Sequence, residues 1–304
     1  MGLAGSCGPS PAPLNIVRDV AALRGAVAAW HRAGETVGLV PTMGSLHEGH
    51  LELVRQAKAE CDRAVATIFV NPKQFDRKED LASYPRDEAK DCRLLASVEC
   101  DLLYAPPVEV MYPEGFTAKV SLSGLTESLD GLHRPGHFDG VATVVTKLLL
   151  QALADRAYFG EKDFQQLMIV TRMVADLDIP TVIRPVATVR EPDGLALSSR
   201  NLLLTAEQRA VAPLLAEVLH SAAARLADGR TPAEPVLVEA RRRLGQGGFT
   251  KVDYVELRSV AALAPQHPEW KTKEPFASAL KRDMKGLAAA GDKGLMELVA
   301  VTHT

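Results

Sequence analysis

The sequence predicts an α/β protein: a Rossmann-like parallel sheet with helices on both faces, followed by a smaller α+β domain. Up to about residue 190, short apolar runs of strand length alternate with longer segments of helical period. The first two apolar runs end in proline-containing loops, at Pro41 and Pro72. Beyond residue 190 the chain becomes rich in Ala, Leu and Arg and contains one further predicted strand.

Helices and strands alternate along the first part of the chain. The first helix has Leu23, Val27 and Trp30 at helical spacing and ends at Gly34. Pro41 is expected to end the first strand. The predicted helices cover residues 18–32, 49–58, 87–98, 141–153 and 165–175. The predicted strands cover residues 37–40, 63–70, 101–105, 156–159 and 181–189.

The sequence predicts three parts. Residues 1–13 carry Gly, Pro and Ser and are expected to form a mobile leader. Residues 14–189 form the Rossmann-like domain, and residues 190–304 form the smaller domain with an atypical tail. In the smaller domain, helices are expected over 205–244 and a strand over 252–257.

Composition and charge exclude several classes of protein. The 304 residues carry a net charge of −3, which gives no case for a nucleic-acid or membrane partner. The longest apolar stretch, 141–154, contains Lys147 and is shorter than the roughly 20 residues of a membrane span. The cysteines form no C-x-x-C pair and are expected to be reduced thiols of a cytoplasmic protein. They are Cys7, Cys61, Cys92 and Cys100.

The first candidate site is the segment 41–50, P-T-M-G-S-L-H-E-G-H, between the first strand and the next helix. His47 and His50 lie three residues apart and therefore share a face of the first helical turn. Gly44 and Gly49 permit a close backbone approach, and a helix N-terminus favours a phosphate. Two imidazoles there can donate hydrogen bonds to phosphate oxygens. As alternatives, the histidines are surface or core residues, or half of a metal site.

Two further segments suit phosphates. Residues 197–201, L-S-S-R-N, follow a Pro-Asp-Gly turn and place two hydroxyls beside a guanidinium, although S-S-R alone is a weak signal. Residues 160–166, G-E-K-D-F-Q-Q, follow a strand. There Lys162 supplies a cation, Asp163 an acceptor for a ribose hydroxyl and Gln166 a contact for a polar substrate. The alternative for this segment is an ordinary helix N-cap.

The fourth segment is I-F-V-N-P-K-Q-F, residues 68–75, followed by Tyr84-Pro85-Arg86. Asn71 and Gln74 come just past a strand end, where they are expected to bind hydroxyl and carboxylate groups of a substrate. A purely structural turn at Asn71-Pro72 is the alternative.

Six ordered segments together resemble the pantothenate synthetase (pantoate–β-alanine ligase) family. They are P-T-M-G-x-L-H-x-G-H, F-V-N-P-x-Q-F, Y-P-R, R-P-G-H-F-x-G-V, F-G-E-K-D-x-Q-Q and D-G-L-A-L-S-S-R-N, over roughly residues 14–205. The segment 252–258 also resembles that family's second domain. The H-x-G-H pattern is shared with the nucleotidylyltransferase superfamily, whose histidines contact ATP phosphates.

The resemblance implies a role for each site residue. Charge stabilisation is expected of His47, His50, Lys162 and Arg200, with His50 as proton donor. Substrate binding is expected of Asn71, Gln74, Tyr84 and Gln166, with the two glutamines on pantoate. The residues expected to bind ATP are Met43, Gly44, Ser45, Leu46, His47, Glu48, Gly49, His50, Gly160, Glu161, Lys162, Asp163, Val189, Leu197, Ser198, Ser199 and Arg200.

The resemblance also implies the reaction: the carboxylate of pantoate is adenylated by ATP and then transferred to the amine of β-alanine. Mg²⁺ is expected to be carried mainly by the ATP phosphates, without a metal site made of protein ligands. The family resemblance implies a homodimer through the first domain. Two alternatives stay open, namely a superfamily member that stops at adenylyl transfer and an ATP-binding protein without turnover. A tRNA-charging role is disfavoured by the net charge.

The sequence departs from the family pattern at two places. Asp130 stands where the family usually has Glu, a shortening expected to loosen a local contact. After Leu263 the sequence does not show the family's closing pattern, an apolar strand followed by a Gly-Thr-Arg-Leu-Asp-Asn-like run.

Overall fold

A computed structural model describes residues 14–75, 78–227 and 230–259, and the backbone of 296–303. The chain forms two compact units. The first unit comprises Met1–Ser121, Asp139–Phe159 and Val170–Val186, and the second comprises Leu122–Phe138, Gly160–Ile169 and Ala187–Thr304. The predicted domain boundary near residue 190 stays a prediction, because compactness does not show which part folds by itself. The predicted leader lies outside the described residues.

A six-stranded sheet organises the first unit. Its strands are β1 (Asn15–Val17), β2 (Val37–Thr42), β3 (Arg63–Ile68), β4 (Leu102–Tyr104), β5 (Arg156–Gly160) and β6 (Val182–Val186). Their spatial order is β1-β4-β3-β2-β5-β6. The ladders between β1 and β4, β4 and β3, β3 and β2, and β2 and β5 are parallel. The predicted α/β class with a parallel sheet is confirmed.

Helices connect these strands and extend into the second unit. They are α1 (Val20–Arg32), α2 (Glu48–Glu60), α3 (Lys78–Ser83), α4 (Glu88–Ser97), α5 (Val108–Met111), α6 (Asp130–His133), α7 (His137–Ala152), α8 (Phe164–Asp176), α9 (Ala206–Val211), α10 (Leu214–Leu226) and α11 (Ala233–Gln246). Short 3₁₀ turns cover Pro72–Gln74, Glu161–Asp163 and Ser199–Leu203. Side-chain caps mark several starts: Asp19 accepts a hydrogen bond from the N–H of Ala22 (2.8 Å) before α1.

Helix α2 packs closely on β2 because residue 38 is a glycine. A Cβ atom at Gly38 would lie 2.9 Å from Cε2 of Tyr158 and 3.0 Å from Cβ of Ala57. The buried side chains Val54 and Ala57 of α2 therefore reach the sheet directly. This close contact packs the last turns of α2 against the start of β2, at the opposite end of both elements from the loop that joins them.

The expectation that Pro41 ends the first strand was wrong, since β2 continues to Thr42. Proline is tolerated there for a reason visible in the ladder. The Val37 carbonyl accepts a hydrogen bond from the N–H of Asp155, on the β5 side, and the Thr42 carbonyl accepts one from the N–H of Phe69, on the β3 side. The backbone N–H and C=O groups of odd-numbered residues of β2 therefore point towards β5. Pairing with β5 is found only at Gly38 and Leu39, so the missing N–H of Pro41 falls beyond that ladder.

Other boundaries also differ from the sequence prediction. Strand β1 was not predicted, because it has only three residues and none is fully buried. Helix α7 begins at His137 rather than at residue 141, and β6 ends at Val186 rather than at residue 189.

Within the second unit, α10 and α11 pack on a two-stranded sheet of β7 (Lys251–Ser259) and β8 (Met296–His303). The two strands pair antiparallel along their length, with one irregularity between Val252 and Tyr254. Buried residues of this core include Val218, Leu244 and Val255. Strand β8 was not predicted from the sequence. Residues 264–295 of the predicted atypical tail, together with Thr304, lie outside the described residues.

Candidate active site

The loop between β2 and α2 has an unusual backbone. Gly44 and Ser45 both have positive φ values, 79° and 52°. The Gly44 N–H donates to Oγ1 of Thr42 (3.1 Å), and that hydroxyl donates to the carbonyl of Thr67 on β3 (2.6 Å). Two further N–H groups, of Ser45 and Leu46, donate to the carboxylate of Asp91 on α4. Several N–H groups of this loop are thus already engaged by the protein.

The two predicted catalytic histidines lie side by side where α2 begins. His47 occupies the N-cap position, and the ring centroids of His47 and His50 are 4.1 Å apart. Nδ1 of His50 accepts a hydrogen bond from the N–H of His47 (3.3 Å). A neutral His50 therefore carries its proton on Nε2, which makes Nε2 a donor. Both side chains are half-buried at a helix N-terminus, an arrangement suited to a phosphate oxygen.

Asn71 is fully hydrogen-bonded within the protein. Its side chain is 1% exposed, and Nδ2 donates to Oε1 of Gln74 (2.9 Å) and to the carbonyl of Gly140 (3.1 Å). Oδ1 accepts from the hydroxyl of Tyr112 (2.8 Å) and from the N–H of Lys73 (3.2 Å). These four bonds leave one orientation for the Asn71 amide. The structure therefore gives Asn71 the role of orienting Gln74, and its predicted contact to a substrate stays a prediction.

Gln74 is oriented by this network. Because Oε1 of Gln74 accepts from Asn71, Nε2 points the other way and lies 3.1 Å from Sδ of Met43. Two predicted site residues from different loops, Met43 and Gln74, are thus brought together. Tyr84, also predicted, packs its ring edge-on against Phe75 at 5.7 Å. Nε2 of Gln74 is a hydrogen-bond donor, a type of group that suits a carboxylate or the lone pair of a hydroxyl.

Tyr112 was not singled out from the sequence. Burial raises the pKa of its hydroxyl, so it stays protonated and donates to Asn71. The ammonium of Lys73 lies 5.1 Å from its ring centroid, a cation–π distance. Gly140, from the R-P-G-H-F-x-G-V segment, is needed at this point, because a Cβ there would lie 2.2 Å from the carbonyl oxygen of Lys73. No local sequence signal marks Tyr112, since its partner is 41 residues away.

In the second unit, the segment 160–166 begins with a 3₁₀ turn that leads into α8. Nζ of Lys162 lies 3.5 Å from Oδ2 of Asp163, and both side chains are more than one-third exposed. The neighbouring Gln165, which was not predicted, is 6% exposed. Its Nε2 donates to the carbonyls of Leu125 and Ser128, both at 2.8 Å. Gln165 therefore ties the 125–130 segment to the start of α8, beside the predicted Gln166.

Asp130, the departure from the family pattern, makes a close contact. Its Oδ1 accepts from the hydroxyl of Tyr254 on β7 (2.7 Å), and its N–H donates to Oε1 of Gln165 (3.1 Å). The pKa of the Tyr254 hydroxyl is raised by burial and by the nearby carboxylates of Asp130 and Asp253. The shorter side chain at position 130 thus still holds β7 and the 125–130 segment together.

The segment 189–204 forms a tight turn followed by a 3₁₀ helix. The N–H of Leu197 donates to the carbonyl of Val189 (3.0 Å), and an isolated bridge pairs Arg190 with Ala196. Oγ of Ser198 accepts from the N–H of Arg200 (3.2 Å), which starts the 3₁₀ helix. The Arg200 side chain is exposed. Leu197, Ser198 and Ser199, the other predicted ATP-binding residues of this segment, are half-buried.

Arg209 clamps the turn that precedes Ser198. Its guanidinium donates to Oδ2 of Asp193 (2.7 Å) and to Oε2 of Glu191 (2.8 Å). The pKa of the Asp193 carboxyl is lowered, chiefly by this hydrogen bond from Arg209. The clamp is exposed to solvent, so its contribution to stability is expected to be small.

Within the described ranges, no three His, Cys, Asp or Glu side chains are arranged to hold a metal ion. None of the helices in those ranges is both long and apolar enough to cross a membrane. Cys61, Cys92 and Cys100 are free thiols, and burial raises the pKa of Cys100 to about 11. Cys7 lies outside the described residues.

A parallel sheet with a glycine- and histidine-containing loop after β2 defines the class of Rossmann-like, nucleotide-binding enzymes. Comparison with known proteins makes this more specific. The profile of the family described as pantoate-beta-alanine ligase matches residues 15–287. The chain therefore belongs to the pantoate–β-alanine ligase family.

Individual relatives agree with this membership. The chain is 57% identical to a pantothenate synthetase of Roseobacter denitrificans over 82% of its own length and 87% of that protein. The crystal structure of pantothenate synthetase from Thermus thermophilus is similar with a TM-score of 0.79 and 46% identity, covering 84% of this chain and 91% of that one. A Francisella tularensis pantoate-beta-alanine ligase, complexed with beta-gamma ATP and beta-alanine, is similar with a TM-score of 0.71 and 35% identity, covering 80% of this chain and 89% of that one.

Proposed function

We propose that this protein condenses pantoate with β-alanine to form pantothenate, using ATP and releasing AMP and pyrophosphate. The observation that carries the proposal is the pair of adjacent imidazoles, His47 and His50, at the start of α2. Membership of the pantoate–β-alanine ligase family over residues 15–287 supports it. The ATP and β-alanine named for the Francisella tularensis ligase match the two co-substrates proposed here.

The chemistry requires activation of a carboxylate, because oxide is a poor leaving group. A carboxylate oxygen of pantoate forms a bond to the α-phosphorus of ATP, and the bond from that phosphorus to the bridging oxygen of pyrophosphate breaks. The amine of β-alanine, after loss of a proton from its ammonium form, then attacks the acyl carbon of the adenylate, and AMP leaves. No covalent enzyme intermediate is needed, so the protein has to position the groups, stabilise charge and exclude water.

Residues of the first unit are assigned to ATP and pantoate. We assign charge stabilisation to His47 and His50, and proton donation to Nε2 of His50, the nitrogen left as donor by the contact to the His47 N–H. Gln74 is assigned to pantoate, because its contact with Asn71 turns the Nε2 donor towards Met43 in the first candidate segment. The remaining ATP contacts proposed in this unit come from Met43, Gly44, Ser45, Leu46, Glu48 and Gly49.

Residues of the second unit are assigned to the nucleotide and to pantoate. Lys162 and Arg200 are proposed to neutralise phosphate charge, and their exposed side chains support this. Asp163 is assigned to a ribose hydroxyl and Gln166 to pantoate. The further ATP contacts proposed in this unit are Gly160, Glu161, Val189, Leu197, Ser198 and Ser199.

The state of the protein in the cell is also part of the proposal. Mg²⁺ is proposed to arrive bound to the ATP phosphates, as that ion usually does in sites of this kind. The protein is proposed to be cytoplasmic and to act without a nucleic-acid or membrane partner, consistent with its net charge of −3.

The first test is AMP release from ATP, measured with pantoate alone, with β-alanine alone and with both. Release that requires both substrates is expected. Adenylyl transfer that proceeds without an amine would instead identify a nucleotidylyltransferase. ATP binding without any turnover would identify an ATP-binding protein that is not an enzyme, and either result would overturn the proposal.

A homodimer through the first unit is proposed as well. Large apolar side chains are exposed on this unit, among them Leu153 (49%) and Val182 (55%). These two lie near each other, because the N–H of Val182 donates to the carbonyl of Asp155 (2.9 Å). Sedimentation should give a dimer mass for the wild type and a monomer mass for Val182→Lys. Val238→Lys, at a side chain on α11 that is 52% exposed, is the matched control and should stay dimeric.

A further inference from the structure

The loop that precedes the two histidines needs an external support. Its residues Gly44 and Ser45 are both in the left-handed region, with φ values of 79° and 52°. That region is unfavourable for a residue with a Cβ atom, such as Ser45. A loop in this conformation persists only where surrounding contacts hold it.

Asp91 supplies such contacts. Its Oδ2 accepts from the N–H of Ser45 (2.9 Å), and its Oδ1 accepts from the N–H of Leu46 (2.8 Å). The residue lies in α4 and is 1% exposed, so both bonds are shielded from water. One carboxylate therefore fixes two consecutive peptide groups, with both of its oxygens used.

Gly44 fits the approach of this carboxylate. A Cβ atom at Gly44 would lie 3.0 Å from Oδ2 of Asp91 and 3.1 Å from Cγ2 of Ile68. A side chain at this position would push either the carboxylate or β3 away. A glycine is therefore required at position 44 for two reasons, the close approach of the Asp91 carboxylate and the positive φ value.

The supported peptides connect directly to the histidines. His47 follows Leu46, occupies the N-cap of α2, and donates its own N–H to Nδ1 of His50. A shift of the Leu46 peptide therefore moves the N-cap, and a shift of the N-cap breaks the contact that sets the proton position on His50.

The carboxylate is kept at a cost to stability. Burial raises the pKa of Asp91 despite its two backbone hydrogen bonds. A carboxyl group with a raised pKa in the folded state favours folding most at low pH, and that contribution is lost as pH rises through the folded pKa. An ionised Asp91 at neutral pH therefore lowers the free energy of unfolding relative to low pH. This favours a functional reason for its presence.

We propose that Asp91 is a positioning residue for adenylation: it fixes the peptide groups of Ser45 and Leu46 and thereby orients the side chains of His47 and His50. This inference rests on the proposed ATP-dependent ligase activity. Asp91 touches no substrate in this proposal, and it acts only through the loop.

The test compares Asp91→Asn with Asp87→Ala. The Asn variant keeps the shape of the side chain but presents an NH₂ group to one of the two N–H donors. Asp87 is the exposed N-cap of the same helix, accepting from the N–H of Lys90 (2.9 Å), and it makes no hydrogen bond to the loop. Asp87→Ala therefore weakens α4 without releasing Ser45 and Leu46, which makes it a matched control.

The expected result is a separation of activity from stability. In Asp91→Asn the kcat for adenylation should fall about tenfold or more, since a misplacement near 1 Å costs on the order of a hundredfold. In Asp87→Ala the kcat should stay within about twofold of the wild-type value, although the Tm should fall at least as much as in Asp91→Asn. A kcat for Asp91→Asn within twofold of the Asp87→Ala value would overturn the proposal.

Amide hydrogen exchange tests the loop without turnover. The amides of Ser45 and Leu46 should be protected in the wild type and in Asp87→Ala, and should exchange roughly tenfold or more faster in Asp91→Asn. Unprotected amides in the wild type would overturn the proposal even if Asp91→Asn fails to fold. If the wild type lacks ligase activity but its exchange pattern is as expected, the proposed function fails while the support of the loop by Asp91 stands.

Discussion

The loop of residues 43–47 and the segment of residues 197–203 are both predicted to contact ATP, but the protein holds them in different ways. In the first, N–H groups of Ser45 and Leu46 are fixed by a buried carboxylate. In the second, the supporting bonds are short-range, such as that from the Arg200 N–H to Ser198, and Leu202 and Leu203 are 72% and 64% exposed.

This difference separates two ways of stabilising a transition state. A loop fixed before the ligand arrives needs no reorganisation during the reaction, so its groups contribute to kcat. We expect a segment held by local bonds on the surface to be ordered further by its ligand, so that part of its contribution appears in binding. The variants below test this contrast, from the largest expected effect to the smallest.

His50→Ala should cause the largest loss. We expect the rate of adenylation to fall roughly a hundredfold or more, as for other groups that stabilise a developing charge. Single-turnover measurement with excess enzyme isolates this step. His31→Ala is a suitable control, because His31 contacts Asp155 near the start of β2, at the opposite end of that strand from the loop. A loss smaller than about tenfold would show that His50 is not the group assigned here.

Arg200→Ala should cause an intermediate loss with a different signature. Hydrogen bonds to charged groups contribute about 1.5–3 kcal/mol, so kcat/KM for ATP should fall roughly tenfold to a hundredfold. The Tm should not change, because the side chain is exposed. Arg200→Lys, which keeps the charge but not the planar fork, should recover part of the loss. If the whole loss appeared in kcat and the KM for ATP were unchanged, this segment would also be fixed before ATP binds.

Tyr112→Phe should cause a smaller and selective loss. Removing one hydrogen bond to Asn71 costs about 1 kcal/mol, so the KM for pantoate should rise about fivefold, while the KM for ATP should not change. Tyr104→Phe is the matched control, because it removes a buried hydrogen bond to Gln151 in the core instead. If both variants change the KM for pantoate equally, the orientation of Gln74 is not what Tyr112 contributes.

Arg209→Ala should have the smallest effect. The clamp on Glu191 and Asp193 is exposed, so the KM for ATP should rise less than about threefold. Because the pKa of Asp193 is lowered in the folded protein, the ion pair is present above the unfolded pKa and is lost as pH falls through the folded one. Amide exchange of residues 189–197 measured across that range should show the loss of the clamp in the wild type and no such change in the variant.

Much of the first unit was predictable from the sequence, for a physical reason. Strands β2, β3 and β5 are apolar runs buried in the sheet, and the helices between them have a regular apolar period. Elements whose partners are distant in the sequence were missed. Strand β1 has no fully buried residue, and β8 pairs with a strand that ends at Ser259, far before it in the chain.

The same distinction applies to the candidate site. His47, His50 and Gln74 belong to local motifs, so the sequence pointed to them, and their roles stay predictions. Asp91 resembles an ordinary acidic residue in the first turn of a helix, and only the packing of α4 against the loop shows that it is buried. Tertiary contacts of this kind have no local signature.

The pairing of β7 with β8 affects how the protein folds. Neighbouring strands β2 and β3 are joined by a single helix, whereas β7 acquires its partner only after residues 260–295 have been synthesised. Until then the strand of residues 251–259 presents unpaired N–H and C=O groups, which can pair with the same strand of another chain. Conditions that slow the arrival of residues 296–303 should therefore favour strand exchange and aggregation during synthesis.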